Sequence, residues 1–437
     1  MPRHEVREEL NVHTGLFVAG GELPRLPSDP EVFFYGGEMP AVKGDFVLNK
    51  LDWAGNGSGR PGRRPERMLV GGAGWSWQSA RAACIGEALE RAHAFAFPQD
   101  GVVVASYQDR DLAQAWTSPA QWASFHDEQH AQVGFPFEKF TVQTRCEWVL
   151  MRQLATGAAW WVPSEFVFLH PHTDGPHQLG PAVSTGLACA NDFQTAVVRG
   201  AQEVIERDAL MGAWWGRYRV EEYPANWIWQ QLGEHVHFRV ERPSIQYRFF
   251  CIDSPYSQGV TMVSLSAQTE GGFVFSVGTA CRSNRTTSFR KSLLEAIQGL
   301  PYVRFLKQQP GITQRKPSDP CRDFSDHAVY YSLFPDRLQD TLFADGNTDR
   351  CVAPHDLSRD ETTSDWVRFL GETRPILFRN MTSLCMPFAQ TGQSVAKVVI
   401  PGLQPMHGND AFAWVGGPLW APRTYVQFVT HPTHPFP

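Results

Sequence analysis

The sequence predicts an α+β fold in which helices pack on mixed β-sheets and one structural unit is repeated. The chain has 437 residues, of which 42% are apolar and 19% charged, as in ordinary globular proteins with a large core. Strand-like segments lead through a turn into an amphipathic helix three times. The predicted helices cover about residues 77–96, 192–215 and 287–306.

The first half of the chain supplies two of these units. Residues 1–66 form an N-terminal extension that ends in a Gly/Arg-rich stretch, which predicts a flexible loop. A strand-like MLV then leads through GGAGWSW into the first helix. Strand-like residues 140–154 and 159–169 follow, and the turn STGLACAND opens the second helix.

The second half supplies the third unit. Strand patterns SIQYRFFCID, GVTMVSLSAQ and GFVFSVGTA precede the third helix, and AKVVIPGLQP predicts a late strand. The polar residues 309–365 between them indicate a loose insertion. We therefore predict an extension over 1–66, a main domain over 67–425 and a Pro-rich tail over 426–437.

Composition and charge exclude several classes of protein. The net charge of −6 gives no attraction to nucleic acid or anionic membranes. No stretch approaches the ~18 apolar residues of a membrane span, and the start lacks a signal peptide, so we expect a cytoplasmic protein. The eight cysteines are scattered, which predicts reduced, buried thiols. The stretch HPHTDGPH favours a surface loop over a metal site.

The pattern Glu-x-x-Glu-Arg occurs twice, as GEALER and QEVIER, each time within a predicted helix after a glycine-containing turn. Either copy alone is explained by an i,i+4 Glu–Arg pair on a helix surface. Its recurrence favours an all-oxygen cluster for a hard cation such as Mg²⁺, with arginines that suit a polyphosphate. The glutamates are Glu87, Glu90, Glu203 and Glu206, and the arginines are Arg91 and Arg207.

This combination predicts phosphoryl transfer from a nucleotide, with metal ions neutralising the developing charge. Other nucleotide signatures are missing from the sequence: it contains no P-loop, and GGAG does not fit Gly-x-Gly-x-x-Gly. It also lacks the Gly-x-Ser-x-Gly elbow of α/β-hydrolases.

Taken together, the three helical segments resemble the signatures of the YcaO superfamily. They are GGAGWSWQSARAACIGEALER, STGLACANDFQTAVVRGAQEVIERDAL and SFRKSLLEAIQG. The resemblance covers about residues 67–437 and implies the YcaO fold, with 67–425 as the catalytic domain. It implies that the four glutamates hold Mg²⁺. It also implies that Ser184, Arg207, Glu295 and Gln298 line the ATP site.

The resemblance also implies a reaction. Members of the family use ATP and Mg²⁺ to activate a peptide amide. A Cys, Ser or Thr side chain adds to the carbonyl, the resulting oxygen is phosphorylated, and loss of phosphate gives a thiazoline or oxazoline. Azoline-forming members commonly end in Pro-x-Pro-x-Pro near the active site. Here Pro432, Pro435 and Pro437 give Pro-x-x-Pro-x-Pro, so we assign Pro435 and Pro437 a catalytic role.

The implied partners are a ribosomal precursor peptide and a separate leader-binding or ubiquitin-activating-like protein. A flavin-dependent azoline dehydrogenase and a homodimer within the complex are also implied. Two residues depart from the family pattern: Ala73 stands where the first turn often has Lys, and Ala83 where the helix has Ser. Thioamide formation with a TfuA-type partner, a non-catalytic scaffold and a relative of the thiomethylation-associated members stay as alternatives.

Overall fold

The computed structural model describes most of the chain. The described residues are 16–39, 69–95, 101–169, 178–351, 357–371, 374–382, 392–417, 419 and 425–436. The predicted Gly/Arg-rich loop, the histidine-rich stretch and Pro437 lie outside these residues.

The strands of the described part are numbered in chain order. They are β1 (Ala19–Glu22), β2 (Phe33–Glu38), β3 (Leu69–Gly74), β4 (Val102–Ser106), β5 (Ala115–Trp116), β6 (Arg145–Gln153), β7 (Ala159–Pro163), β8 (Leu187–Ala190), β9 (Val220–Tyr223), β10 (Ile245–Ile252), β11 (Val260–Thr269), β12 (Gly272–Cys281), β13 (Asp349–Arg350), β14 (Leu377–Asn380) and β15 (Ser394–Val399). The helices are α1 (Trp77–Phe95), α2 (Asp127–His130), α3 (Phe193–Trp214), α4 (Ala225–Leu232), α5 (Glu234–Val240), α6 (Arg285–Lys307), α7 (Phe324–Leu333), α8 (Thr363–Leu370) and α9 (Tyr425–Val429).

The strands form three sheets. The first is a three-stranded antiparallel sheet, β1-β2-β3. The second has five strands in the order β12-β11-β10-β9-β13, and the third has seven, β5-β7-β6-β14-β15-β8 with β4 paired to β6. Parallel pairs occur at β5–β7 and β13–β9, whereas the other described pairs are antiparallel. These mixed sheets with packed helices confirm the predicted α+β fold.

Three long helices join the sheets. Helix α1 packs on β2 and β3 of the three-stranded sheet and on β8 of the seven-stranded sheet. Helix α3 lies between β8 and β15 on one side and β12 on the other, and α6 packs on β11 and β12 and contacts β3. The predicted helices are therefore confirmed to within a few residues at each end, and each follows a strand of a different sheet.

The repetition is visible in the helix caps. The side chain of Asp192 accepts a hydrogen bond from the Thr195 amide at the start of α3, at 2.8 Å. The side chain of Asn284 accepts one from the Thr287 amide at the start of α6, at 2.9 Å. Both cap residues have extended backbones, with φ of −140° and −141°. The two units thus begin their helices in the same way, as short polar N-caps do.

Two sequence predictions are wrong in detail. Residues 159–169 are not one strand, because β7 ends at Pro163 and residues 164–166 form a 3₁₀ helix. The stretch 309–365 is not a loose insertion, because α7 lies within it and buries Tyr331 in the core. The polar residues around α7 hid the signal of this short, largely buried helix.

The cysteine prediction is confirmed for the described residues. Seven cysteines are free and buried: Cys84, Cys146, Cys189, Cys251, Cys281, Cys321 and Cys351. Within the described part of the chain, no helix combines the length and apolarity needed to cross a membrane.

Candidate active site

The three long helices border one large cavity of about 2430 Å³. Every residue of the predicted metal and nucleotide sites lines it. These residues are Glu87, Glu90, Arg91, Ser184, Glu203, Glu206, Arg207, Glu295 and Gln298. Side chains separated by more than 200 positions in sequence therefore face one space.

Helix α1 contributes two carboxylates that are held by different sheets. Glu87 Oε2 accepts a hydrogen bond from the Gly71 amide of β3, at 3.0 Å. Glu90 Oε1 accepts one from the Cys189 amide of β8, at 2.7 Å. The guanidinium of Arg91 lies 3.6 Å from Glu87 Oε1. One turn of helix thus fixes both carboxylates and places a cation beside them.

Helix α3 repeats this arrangement. Glu203 Oε2 accepts a hydrogen bond from the Gly186 amide at 3.3 Å. Glu206 accepts two, from the Thr279 hydroxyl at 2.7 Å and the Cys281 amide at 3.0 Å. Arg207 lies 3.7 Å from Glu203 and 3.8 Å from Glu206. Each Glu-x-x-Glu-Arg copy therefore combines an i,i+4 ion pair with carboxylates fixed by backbone amides.

Helix α6 supplies the third wall. Glu295 Oε2 accepts a hydrogen bond from the Thr279 amide at 3.3 Å, and its Oε1 lies 3.0 Å from Lys291 Nζ. Although desolvation acts to raise its pKa, the cations Lys291, Arg207 and Arg282 outweigh this effect and lower the pKa of Glu295. Glu295 is therefore a charged acceptor at the edge of the cavity.

The pKa values of two carboxylates on α1 and α3 are raised, whereas that of Glu295 is lowered. Burial, together with the charge of Glu203, raises the pKa of Glu90 to about 8. Burial also raises the pKa of Glu203, although Arg207 opposes it. A bound divalent cation would stabilise the charged forms of carboxylates that lie this close together. An all-oxygen donor set is the one that Mg²⁺ prefers. The residues present therefore fit Mg²⁺, with Arg91 and Arg207 beside it for phosphate oxygens.

The sequence interpretation missed Lys397. This β15 residue is 1% exposed, and its ammonium donates to the carbonyls of Val183 and Thr185, at 2.8 Å each. Burial lowers its pKa to about 7, against the influence of Glu203, which raises it. It holds the turn that carries Ser184. A lone lysine in the apolar run AKVVI was the available signal, because lysine is almost never fully buried unless it is paired.

Lys397→Met is expected to lower the free energy of unfolding by about 1–3 kcal/mol, because two partly buried carbonyls lose their donor. The displaced turn should also weaken binding of Mg²⁺ with a non-hydrolysable ATP analogue, by roughly tenfold. Denaturant unfolding and calorimetric titration would measure the two effects. Lys139→Met, at an exposed lysine, is the control. A loss of stability with unchanged nucleotide affinity would show that Lys397 does not position the site.

Glu90 predicts a pH dependence of stability in the metal-free protein. Its pKa is raised to about 8, so its neutral form stabilises the folded state, and this contribution is lost as pH rises through the folded pKa. Between about pH 6 and pH 8 the wild type should therefore lose on the order of 1–2 kcal/mol relative to Glu90→Gln.

The comparison with Glu90→Gln matters because Lys397 titrates in an overlapping range with the opposite sign. Its lowered pKa makes its contribution increase as pH rises above about 7. Both proteins contain Lys397, so their difference isolates Glu90. Parallel curves of unfolding free energy against pH in metal-free buffer would contradict the assignment.

The structure also places the residues that depart from the family pattern. Ala73 is 6% exposed, and Ala73 and Ala83 both line the cavity. Strand β3 and helix α1 touch here, because a Cβ added to Gly72 would lie 2.9 Å from the Ala83 Cβ and closer still to the α1 backbone. Close backbone packing therefore requires glycine at position 72.

The tail is folded against the domain. Trp214 Nε1 donates to the Pro432 carbonyl at 3.0 Å, and the Tyr331 hydroxyl donates to the Thr433 carbonyl at 2.6 Å. Pro435 is buried but does not line the cavity, whereas Phe436 does and is 1% exposed. The predicted catalytic Pro437 lies outside the described residues.

These features define an ATP- and Mg²⁺-binding domain. They are the helices of a repeated unit, the paired carboxylates with adjacent arginines, and the large cavity between them. The family described as "YcaO cyclodehydratase", ATP- and Mg²⁺-binding, matches residues 71–404. This match covers most of the chain, and the protein belongs to the YcaO family, as the sequence motifs predicted. ATP and Mg²⁺ are its cofactors.

Solved structures share the fold. A heterocyclase in complex with substrate and cofactor is 16% identical, with a TM-score of 0.64, over 95% of this chain and 54% of that one. YcaO from Methanopyrus kandleri bound with AMPPCP and Mg²⁺ is 17% identical, with a TM-score of 0.54, over 89% of this chain and 86% of that one.

A chain of the E. coli microcin synthetase McbBCD complex is 13% identical, with a TM-score of 0.60, over 96% of both chains. The present chain thus spans about half the length of the first of these proteins and nearly the whole of the last. A comparison with curated proteins gives no significant match.

Proposed function

We propose that this protein is an ATP-dependent cyclodehydratase that converts Cys, Ser or Thr residues of a ribosomal precursor peptide into thiazolines or oxazolines. The observation that carries the proposal is the convergence of both Glu-x-x-Glu-Arg copies on one cavity. Its family supplies the reaction class, and heterocyclases are among the proteins that share its fold.

The chemistry supplied by bound ATP is phosphorylation of the peptide amide oxygen, which turns that oxygen into a leaving group. The protein's own residues would hold and orient the nucleotide. The four glutamates would hold Mg²⁺, while Arg91 and Arg207 lie within reach of the same space and neutralise phosphate charge. Glu295 and Gln298 on α6, and Ser184 in the turn before β8, also line the cavity.

The peptide would enter the same cavity. The cavity volume of about 2430 Å³ exceeds the ~300–1,000 Å³ of a typical small-molecule pocket, so the cavity offers room for nucleotide and peptide together. Phe436 of the buried tail lines this cavity. Its position supports a role for the tail in placing the peptide. Pro435 and Pro437 stay predicted catalytic residues, and the domain boundaries at 66/67 and 425/426 stay predictions.

The proposed partners follow from this substrate. We expect a separate leader-binding or ubiquitin-activating-like protein to deliver the precursor, and a flavin-dependent dehydrogenase to oxidise the azolines. A related fold occurs in the McbBCD complex, which also has a structure with pro-MccB17 bound. A homodimer within such a complex and a cytoplasmic location belong to the same proposal.

The test is to incubate the protein with ATP, Mg²⁺, the precursor encoded beside its gene and the neighbouring partner protein, and then to weigh the peptide. Loss of one water mass per modified residue is expected. Exchange of oxygen for sulfur would indicate thioamide formation instead, with a TfuA-type partner. ATP-independent binding of the precursor without any mass change would indicate a scaffold and overturn the proposal.

A further inference from the structure

We propose that Cys321, His327 and Asp410 bind a Zn²⁺ ion where α7, the loop 404–410 and the C-terminal tail meet. One ligand atom from each residue lies within 4.8 Å of the others. Cys321 and His327 are fully buried, and Asp410 is partly exposed. None of these residues belongs to the proposed ATP and Mg²⁺ site, so this site is a separate one.

The first argument is the state of the His327 ring. Its Nδ1 lies 2.8 Å from the carbonyl oxygen of His434, and a carbonyl can only accept. Nδ1 therefore carries the proton of the neutral ring, which leaves a lone pair on Nε2. Nε2 is buried and has no hydrogen-bond partner among the described residues. An unsatisfied buried acceptor is costly, and a metal ion would satisfy it.

The second argument is the distance between His327 and Asp410. His327 Nε2 lies 3.7 Å from Asp410 Oδ1, which is too far for a hydrogen bond. Ligand atoms about 2.0–2.2 Å from a tetrahedral Zn²⁺ ion are about 3.4 Å apart, so the observed gap is close to that of two ligands sharing an ion. The Cys321 sulfur completes a donor set of sulfur, nitrogen and oxygen, which suits Zn²⁺ rather than Mg²⁺.

The third argument is that the surroundings orient these groups. The Nδ1–H of His327 donates to a backbone carbonyl, as metal-bound histidines usually do. Asp410 Oδ2 accepts from the Cys321 amide at 3.1 Å, and Oδ1 accepts from the Thr433 hydroxyl at 3.0 Å. His407 Nε2 lies 3.9 Å from the same Asp410 oxygen, next to the three proposed ligands.

The ion would tie the tail to the domain. Thr433 and His434 contact the proposed ligands directly, and His407 and Phe436 line the active-site cavity. Zn²⁺ binding would therefore fix the last described residues beside that cavity, without taking part in the chemistry there.

The full-length protein, stripped with a chelator, provides the test. Addition of Co²⁺ should produce a thiolate-to-cobalt charge-transfer absorption at one equivalent, which Zn²⁺ then removes. Cys321→Ala should abolish this band, whereas Cys146→Ala, at another buried cysteine, should retain it. Asp410→Asn, at a partly exposed position, should keep the band and weaken Zn²⁺ binding at least ~10-fold.

Two results would overturn the proposal. One is absence of the band in the wild type, or its persistence in Cys321→Ala. The other is wild-type Zn²⁺ affinity in Asp410→Asn, which decides the matter even if Cys321→Ala does not fold. The glutamate cluster contains no sulfur, so Co²⁺ bound there gives no such band. Failure of peptide modification would therefore not affect this result.

Discussion

Glu203→Gln is expected to reduce ATP-dependent peptide modification by at least ~100-fold, while the protein stays folded. The substitution keeps the size of the side chain and its acceptor for the Gly186 amide, but removes one negative charge from the cluster. A proposed metal ligand and one of the two carboxylate partners of Arg207 are lost together. Phosphate release in the presence of precursor and partner would measure the rate, and circular dichroism would confirm the fold.

Glu241→Gln is a matched control, because Glu241 is an exposed residue that directly follows α5 and does not line the cavity. It should show wild-type rates. In Glu203→Gln, by contrast, nucleotide binding should depend less strongly on Mg²⁺ than it does in the wild type. Wild-type phosphate release and modification by Glu203→Gln would show that the four-glutamate cluster is not the metal site.

Deletion of Pro435 to Pro437 is expected to abolish ring formation with little change in nucleotide binding. The anchors at Pro432 and Thr433 stay in place, so the loss is confined to the segment next to the cavity. Removing the buried Phe436 ring should also cost roughly 3 kcal/mol of stability, because it packs edge-on to Trp214 with centroids 5.8 Å apart. Mass spectrometry of the precursor and titration with an ATP analogue would separate the two effects.

Phe436→Leu provides the control for this deletion. It keeps an apolar side chain against Trp214 and leaves both flanking prolines, so most ring formation should survive. If the deletion protein modified the precursor at the wild-type rate, the tail would have no catalytic role. If Phe436→Leu were as inactive as the deletion, packing of Phe436 rather than the prolines would explain the loss.

The sequence allowed the helices and the candidate nucleotide site to be predicted because their signals are local. Glutamates and arginine repeat at fixed spacing within α1 and α3, and short polar caps precede α3 and α6. The ordered set of three motifs then sufficed to identify the family. These are patterns that a single helix imposes on its own residues.

The sheets and Lys397 could not be predicted in the same way. The pairing of β6 with β14 joins residues more than 200 positions apart, and only tertiary packing selects it. Lys397 interacts with a turn that is equally distant in sequence. Likewise, α7 appeared polar in sequence because Asp326 and His327 belong to it, yet both are buried, and His327 contacts the distant His434.

The carboxylates of the cavity are held by hydrogen bonds from three different sheets. Glu87 is bonded to β3 of the three-stranded sheet and Glu90 to β8 of the seven-stranded sheet. Glu206 and Glu295 are bonded to β12 of the five-stranded sheet. The donor set consequently exists only while all three sheets are docked, and a ligand bound to it favours that docked arrangement. Mg²⁺ and nucleotide should therefore slow amide hydrogen exchange in strands of every sheet, including strands far from the cavity. The reason is that no sheet can separate from the others unless the ligand is released first.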